Sequence, residues 1–414
     1  MERREFVTVV GGAAVVGWAD GLMGRQSDRP SADPPIRPSA HPPQEPTLGP
    51  EVFARRLDRL RAELTTRKLD VLVVAPSTNF AYFTGYNPGR SERLILLVVP
   101  VKGDPIIVCP SFEVERIKRG TGFQLIKGWE EQDDPWKLVR DALRQVKPPN
   151  RGGQGAIEAS LDYASYLRLV DAGGGDWKWQ TGAPVTERLR IIKYPEEVAL
   201  IRHAIEITEA SIVATFAALV AGVTEREVAT TLSGEMRKRG APGGGLVQFG
   251  PSSALPHGGP AAGQLQKEMV VLIDCGCDVG GYTSDITRTI WFGDAPSDEF
   301  KKVYNLVHDA QTAAIQLGKP FTTTCEQLDR AARKVITDGG YGQYFTHRLG
   351  HGMGMDGHEP PYLVEGNETR FEQGMVFTIE PGIYQLGKFG VRIEDDNLMT
   401  ENGVETLSHR AQKL

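Results

Sequence analysis

The 414-residue chain contains no apolar run of the length, about 20 residues, that a bilayer-spanning helix needs, so no stable membrane span is expected. It has no basic surplus. Its 47 Lys and Arg against 53 Asp and Glu give a formal charge of −6, which argues against the electrostatic footprint of a nucleic-acid binder. Cysteine is scarce. Cys109, Cys275, Cys277 and Cys325 follow neither a zinc-ribbon spacing nor a disulfide framework, and are expected as small buried residues. The N-terminal half of the chain has no phosphate-cradling glycine loop and no cluster of acids. What is present, 40% hydrophobic and 24% charged residues, is the composition of a soluble globular protein, and the length suits two domains plus a tail.

The tail comes first. MERREFVTVVGGAAVVGWADG sets Arg3 and Arg4 ahead of a weakly apolar stretch, with Gly17 and Ala19 as small residues for cleavage. Residues 1–24 read as a signal peptide of the twin-arginine type, which predicts a periplasmic or extracellular protein. Glu2 stands where Ser or Thr is usual, and a cytoplasmic protein is the alternative. Residues 25–50 are dominated by proline and read as an extended linker, with His41 solvated.

From residue 51 to about 185, short apolar runs such as VLVVA (71–75), LILLVVP (94–100) and PIIVCP (105–110) alternate with helix-like segments, which predicts an α/β domain. From residue 190 the character changes to α+β. A helix starts at Pro195 and a second spans 224–239; strands near 269–275, 282–292, 374–380 and 389–399 are interrupted by helices near 297–317 and 324–339. Antiparallel pairing is expected there.

The stretch DCGCDVGGYTSD (274–285) begins and ends with aspartate at the end of an apolar strand. In a hairpin with an even-numbered loop, side-chain alternation puts Asp274 and Asp285 on one face, where they repel. Taken alone, the hairpin is equally compatible with both acids facing solvent at its rim. Further along, FTHRLGHGMGMDGHEPPYL carries His347, His351 and His358; GMVFTIEPGIY ends an apolar strand on Glu380; GVRIEDDNLM sets Arg392 and Glu394 on one strand face. Asp274, Asp285, His351, Glu380 and Glu394 form a set of oxygen donors with one imidazole. Two divalent cations would offset the four carboxylates. The donor chemistry favours Mn²⁺, with Co²⁺ or Zn²⁺ as the other candidates. Two ions about 3.5–4 Å apart can hold a bridging hydroxide at neutral pH that attacks an amide carbonyl.

The order Asp, ten residues, Asp, then His, Glu and Glu resembles the metallopeptidases of the pita-bread fold, which include methionine aminopeptidase, prolidase, aminopeptidase P and metal-free creatinase. SDITRT, GHGMGMDGHEPP, TIEPGIY and GVRIEDD look like the Xaa-Pro branch; NFAYFTGY (79–86) and RLRIIKYPEEVALIRHAI (188–205) look like a creatinase-type N-terminal domain and its junction. The resemblance covers all but about the first 50 residues. It implies an α+β pita-bread catalytic domain over 190–414, preceded by a smaller α/β creatinase-like domain over 51–185. It implies that Asp274 holds one ion, that Asp285 and Glu394 bridge both, and that His351 and Glu380 complete the second, with Glu380 also carrying a proton to the leaving nitrogen. It places His257, in ALPHGGP, near the scissile amide and gives His358 to the oxyanion. His347 and Arg392 become further catalytic positions. A peptide substrate and a homodimer are implied as well. Preference for proline rests on the resemblance alone. The alternatives are a hydrolase of the same fold acting on another amide or ester, and a non-catalytic binding relative. His203, His308 and His409 are read as ordinary surface or core histidines.

Overall fold

A computed structural model describes residues 47–259 and 263–414, together with the backbone of two short strands, Val9–Val10 and Ala13–Val16. Apart from those strands, the expected signal at 1–24 and the linker that follows it lie outside the described residues. The linker does not extend through residue 50, because the helix Pro50–Thr66 already begins there, with proline in its first turn, where a missing N–H costs nothing. The chain divides into two compact units, Leu48–Arg190 and Ile191–Leu414.

The first unit is built on a mixed sheet in the order Ile126–Trp129, Ile106–Pro110, Leu96–Pro100, Val71–Val74, Gly153–Ile157, Trp177–Thr181. Its middle pairings are antiparallel and its flanking ones parallel. Every residue of Val71–Val74, Leu96–Pro100 and Ile106–Pro110 is buried, the pattern of strands covered on both faces. One face packs under Trp129, Trp136, Val139, Leu143 and Leu169.

The second unit repeats one plan. In its first half the helices Pro195–Ala217 and Glu225–Lys238 back the strands Gly243–Phe249, Met269–Val279 and Ile286–Phe292. In its second half the helices Asp298–Leu317 and Cys325–Asp338 back a sheet in the order Glu359–Leu363, Gly350–Gly352, Val376–Ile379, Asp395–Thr400, Gly403–Thr406. The second helix of each half opens with a threonine N-cap whose N–H donates to a side chain three residues on, Thr224 to Glu227 and Thr324 to Gln327; at Thr224 the hydroxyl also accepts from the Glu227 N–H. Each capping threonine also makes an isolated antiparallel bridge, to Gln264 and to Arg370. All strand pairs described in this unit are antiparallel, as its sequence leads one to expect.

Several strands are absent from the sequence reading, Gly350–Gly352, Glu359–Leu363, Gly382–Gln385 and Gly403–Thr406 among them; another is Gly243–Phe249, where that reading leaves the glycine-rich run before LVQFG as a connection. Gly243–Phe249 pairs along Met269–Val279, with Gly245 opposite Cys275. A Cβ on Gly245 would lie 2.1 Å from the Asp274 carbonyl oxygen, so only glycine lets the strands approach this closely. All four cysteines are buried and free. Burial pushes the Cys109 and Cys325 thiols up to about 12 and raises Cys275 well above its usual range. Among the described residues, no helix is long and apolar enough to cross a membrane.

Candidate active site

The strand Met269–Val279 turns back through Gly280 and Gly281, whose φ values of +58° and +83° give the two-residue turn that suits a hairpin. Register then runs from Val279 opposite Tyr282 to Asp274 opposite Thr287. Asp274 and Asp285 therefore share a face. The returning strand is interrupted between Tyr282–Thr283 and Ile286–Phe292, and Asp285 sits in that gap, its N–H donating to Asp396 Oδ2 at 3.1 Å. Glu394 occupies a similar gap, between Phe389–Arg392 and Asp395–Thr400, and its N–H donates to the Thr287 carbonyl at 3.1 Å. Glu380 follows Val376–Ile379 directly, with its N–H donating to the Leu349 carbonyl. Asp274 lies inside a paired strand, while Asp285, Glu380 and Glu394 stand at strand ends.

All nine residues singled out in the sequence line one cavity of about 460 Å³. Ligand atoms of Asp274, Asp285 and Glu394 lie within 4.8 Å of one another, and so do those of His351, Glu380 and Glu394. A third group within the same reach is Asp285, His351 and His358.

His351 donates from Nδ1 to the Gly352 carbonyl at 3.1 Å, which leaves Nε2 as a lone pair. That lone pair faces Glu380 Oε1 at 3.4 Å and Asp285 Oδ2 at 3.7 Å. Burial drives the His351 pKa down to about 3, so the ring is neutral and has no proton to give these oxygens. Burial and the neighbouring carboxylates raise Asp285 and Glu394 well above the usual carboxylate range, and burial pushes Glu380 up to about 7. A lone pair facing two carboxyl oxygens at 3.4 and 3.7 Å is relieved either by a proton on one of those carboxyls, which their raised pKa favours, or by a cation between them. The donor set, oxygen-rich with one neutral imidazole, fits divalent cations.

The cation that touches the cluster is Arg392. Its Nη2 meets Asp274 Oδ2 at 2.6 Å, its Nε donates to Thr287 Oγ1 at 3.0 Å, and Thr287 Oγ1 donates to Glu394 Oε2 at 2.6 Å. Its Nη1 donates to the Tyr384 hydroxyl at 2.8 Å; that hydroxyl donates to His347 Nε2 at 2.8 Å; and His347 Nδ1 donates to the Arg348 carbonyl at 2.6 Å. Burial lowers His347 to about 4 and also lowers His358, so these rings are neutral at pH 7. The His358 ring stands edge-on to His351, with centroids 4.0 Å apart. His257 and Pro256 line the cavity from the segment after Gly250–Ala254.

Three polar residues were missed in the sequence. Thr287 lies within SDITRT and Tyr384 within TIEPGIY, yet only the acids in those segments stand out. Hairpin alternation between Gly382–Gln385 and Phe389–Arg392, with Gly382 opposite Arg392, puts Tyr384 on the Arg392 face, a signal of the same kind as the one that pairs the aspartates. Arg348 also lines the cavity, its guanidinium 4.5 Å from the centre of the Tyr362 ring. Adjacency to His347 was its one available signal.

Comparison with known proteins bears on this geometry. Residues 199–401 match the model of metallopeptidase family M24, and residues 56–192 match that of the creatinase/prolidase N-terminal domain. The Xaa-Pro dipeptidase of Lactobacillus helveticus is 37% identical over 363 residues, covering 86% of this chain and 98% of its own. Among solved structures, the prolidase of Thermococcus sibiricus superimposes with a TM-score of 0.80 at 34% identity, over 87% of this chain and 98% of its own. The X-Pro aminopeptidase of Thermotoga maritima does so with a TM-score of 0.74 at 30% identity, over 85% and 99%.

Proposed function

The chain belongs to metallopeptidase family M24, and from that premise we propose that it hydrolyses the amide bond before proline in Xaa-Pro dipeptides or at the N-terminus of short peptides. The observation that carries this reading is the convergence of four carboxyl groups and one neutral imidazole, with His351 Nε2 3.4 Å from Glu380 Oε1 and 3.7 Å from Asp285 Oδ2.

Asp274, Asp285, His351, Glu380 and Glu394 would hold two divalent ions, Mn²⁺ first among the candidates. Such ions supply positive charge to the cluster and acidify water enough to make it a nucleophile at neutral pH. The rest of the chemistry belongs to the side chains. Glu380, held near neutrality by burial, takes the proton from the attacking water and gives it to the proline nitrogen as the C–N bond breaks. An amide nitrogen leaves as a neutral amine only once it is protonated, so departure of the proline nitrogen depends on this delivery. His358, neutral and at the exposed rim of the cavity, donates to the oxyanion that develops on the carbonyl. Arg392 keeps Asp274 turned toward the cavity, and the Arg392–Tyr384–His347 hydrogen-bond chain fixes the wall against which substrate lies. His257 lines the same cavity within reach of a bound amide.

The test is chelation to full metal depletion, then reconstitution with Mn²⁺, Co²⁺ or Zn²⁺, with hydrolysis of an Xaa-Pro dipeptide as the readout. Activity that returns with about two ions per chain supports the reading; full activity in the depleted protein sinks it. We further infer export by the twin-arginine route, from Arg3 and Arg4 and from the family models' beginning only at residue 56, and a homodimer, from the family resemblance.

A further inference from the structure

A break in a strand takes carbonyls out of the ladder, and buried ones must find other donors. Ile393 and Glu394 lie in such a break, between Phe389–Arg392 and Asp395–Thr400, and two buried side chains serve them. Arg288 Nη1 donates to the Glu394 carbonyl at 2.6 Å, and Gln311 Nε2 reaches the Ile393 carbonyl at 3.4 Å. The same Gln311 nitrogen donates to the Ile379 carbonyl at 3.2 Å and to Asp395 Oδ2 at 2.9 Å. Arg410 Nη2 donates to Gln311 Oε1 at 3.3 Å, so acceptors on one side and a donor on the other fix which way the carboxamide faces.

Gln311 is out of character with its helix. It is fully buried, and the other buried residues of Asp298–Leu317 are Phe300, Val303, Tyr304, Val307, Ala310 and Ala314. Leucine, of similar volume, would serve packing there without the cost of burying an amide. What the amide does touch is the residue before each of two ligands. Ile379 precedes Glu380, Ile393 precedes Glu394, and Ile379 stands opposite Asp395 in the sheet register. One carboxamide therefore spans the junction where two acids leave neighbouring strands. Asp395 holds it from behind: its Oδ1 accepts from Arg288 Nη2 and from Ser408 Oγ, each at 2.6 Å, while Oδ2 takes Gln311.

Of the ligand groups, His351, Glu380 and Glu394 form one, and Asp274, Asp285 and Glu394 form another. Gln311 bears on the spacing of Glu380 and Glu394, and so on the first group most directly. We propose that Gln311 is a positioning residue for the ion held by His351, Glu380 and Glu394. Its carboxamide fixes the spacing of two of those ligands through the peptide groups that precede them. This rests on the two-ion reading above.

The test titrates the metal-free full chain with Mn²⁺ by calorimetry, for the wild type, Gln311→Leu, Gln311→Met and Ser408→Ala. Tm of each metal-free protein is read beside it, with hydrolysis of Ala-Pro by the loaded wild type. Leucine and the more adaptable methionine fill the place of the amide without its donors. Ser408→Ala removes a bond to the same Asp395 carboxylate and leaves both isoleucine carbonyls served. In the Gln311 variants the dissociation constant of at least one ion is expected to rise by about 10–100-fold, the scale of a lost partner behind a metal ligand. Ser408→Ala should leave both constants within about twofold of the wild type, whatever it does to Tm. Gln311 variants that lose Tm but keep both constants would overturn the proposal and make Gln311 a residue of the core. Failure of both variants to fold would do the same. So would a rise in Ser408→Ala equal to that in the Gln311 variants, which would mean general loosening. A wild type that binds fewer than two Mn²⁺ ions overturns the two-ion reading, and this inference with it. One that binds two and leaves Ala-Pro intact sinks the substrate reading alone.

Discussion

An imidazole beside two carboxylates is ordinarily drawn toward its protonated form; burial takes His351 the other way, down to about 3. Its tautomer is set by a main-chain carbonyl, so the lone pair toward the acids is fixed before any ion arrives. His358, only 4.0 Å away between ring centres, differs in that it stands at the exposed rim. The two rings are thus suited to different work, one to hold an ion and one to meet substrate. His358→Ala is expected to spare metal content and cut kcat by about 10²–10³-fold, the scale of one lost oxyanion donor. Metal analysis beside steady-state kinetics decides it: loss of the ions along with activity would move His358 into the ligand set, and unchanged kcat would remove it from the mechanism.

At the scale of elements, the site is assembled from interruptions. Asp285 and Glu394 occupy gaps in strands that the sequence leads one to expect as continuous, 282–292 and 389–399. Alternation of side chains was enough to put the two aspartates on one face, because a two-residue turn preserves parity. It could not reveal the gaps, which arise from bonds across the unit, Asp285 to Asp396 and Glu394 to Thr287. Likewise the glycine run at 243–245 reads as a loop, since the requirement for glycine comes from a neighbouring strand 30 residues on, at Asp274 and Cys275. Helix starts, marked by local signals such as Pro195 and the Thr224 cap, were legible to within a residue or two, whereas Gly222, which reads as the stop of the first, lies five residues past its end at Ala217. The loop that carries His358 has its own anchor, a buried pair between Lys193 Nζ and Glu359 Oε1 at 2.6 Å, with side chains 1% and 7% exposed. Lys193→Met strands a buried carboxylate and is expected to cost about 3–5 kcal/mol in urea denaturation. The double change Lys193→Met with Glu359→Met should cost less than the single one; a single-variant cost below about 1 kcal/mol would deny the pair this role.

At the scale of the molecule, the cluster draws on both halves of the repeated plan: Asp274 and Asp285 from the first, His351, Glu380 and Glu394 from the second. Ions held there would tie the halves together, and pH should reveal it. In the metal-free protein the carboxyls of Asp285, Glu380 and Glu394 have folded-state pKa values above their unfolded ones, Glu380 rising from 4.5 to about 7. The folded state therefore holds more protons, and this contribution to stability is present below about pH 4 and lost as pH rises through 7. Ion binding requires the deprotonated acids and grows in the same direction. The gap in Tm between metal-loaded and metal-free protein is expected to widen from pH 5 to pH 8; a constant or shrinking gap would mean that ions bind elsewhere. Removing residues 1–48 should leave peptidase activity in place and abolish export, and continued secretion of the shortened chain would end the signal-peptide reading. The four thiols add a practical handle. Since each is enclosed and strongly disinclined to ionise, alkylating reagents should modify the native protein only as fast as it opens. Cys109 reports on one unit while Cys275, Cys277 and Cys325 report on the other, so mass-resolved labelling would time the opening of each separately in a single unmodified sample.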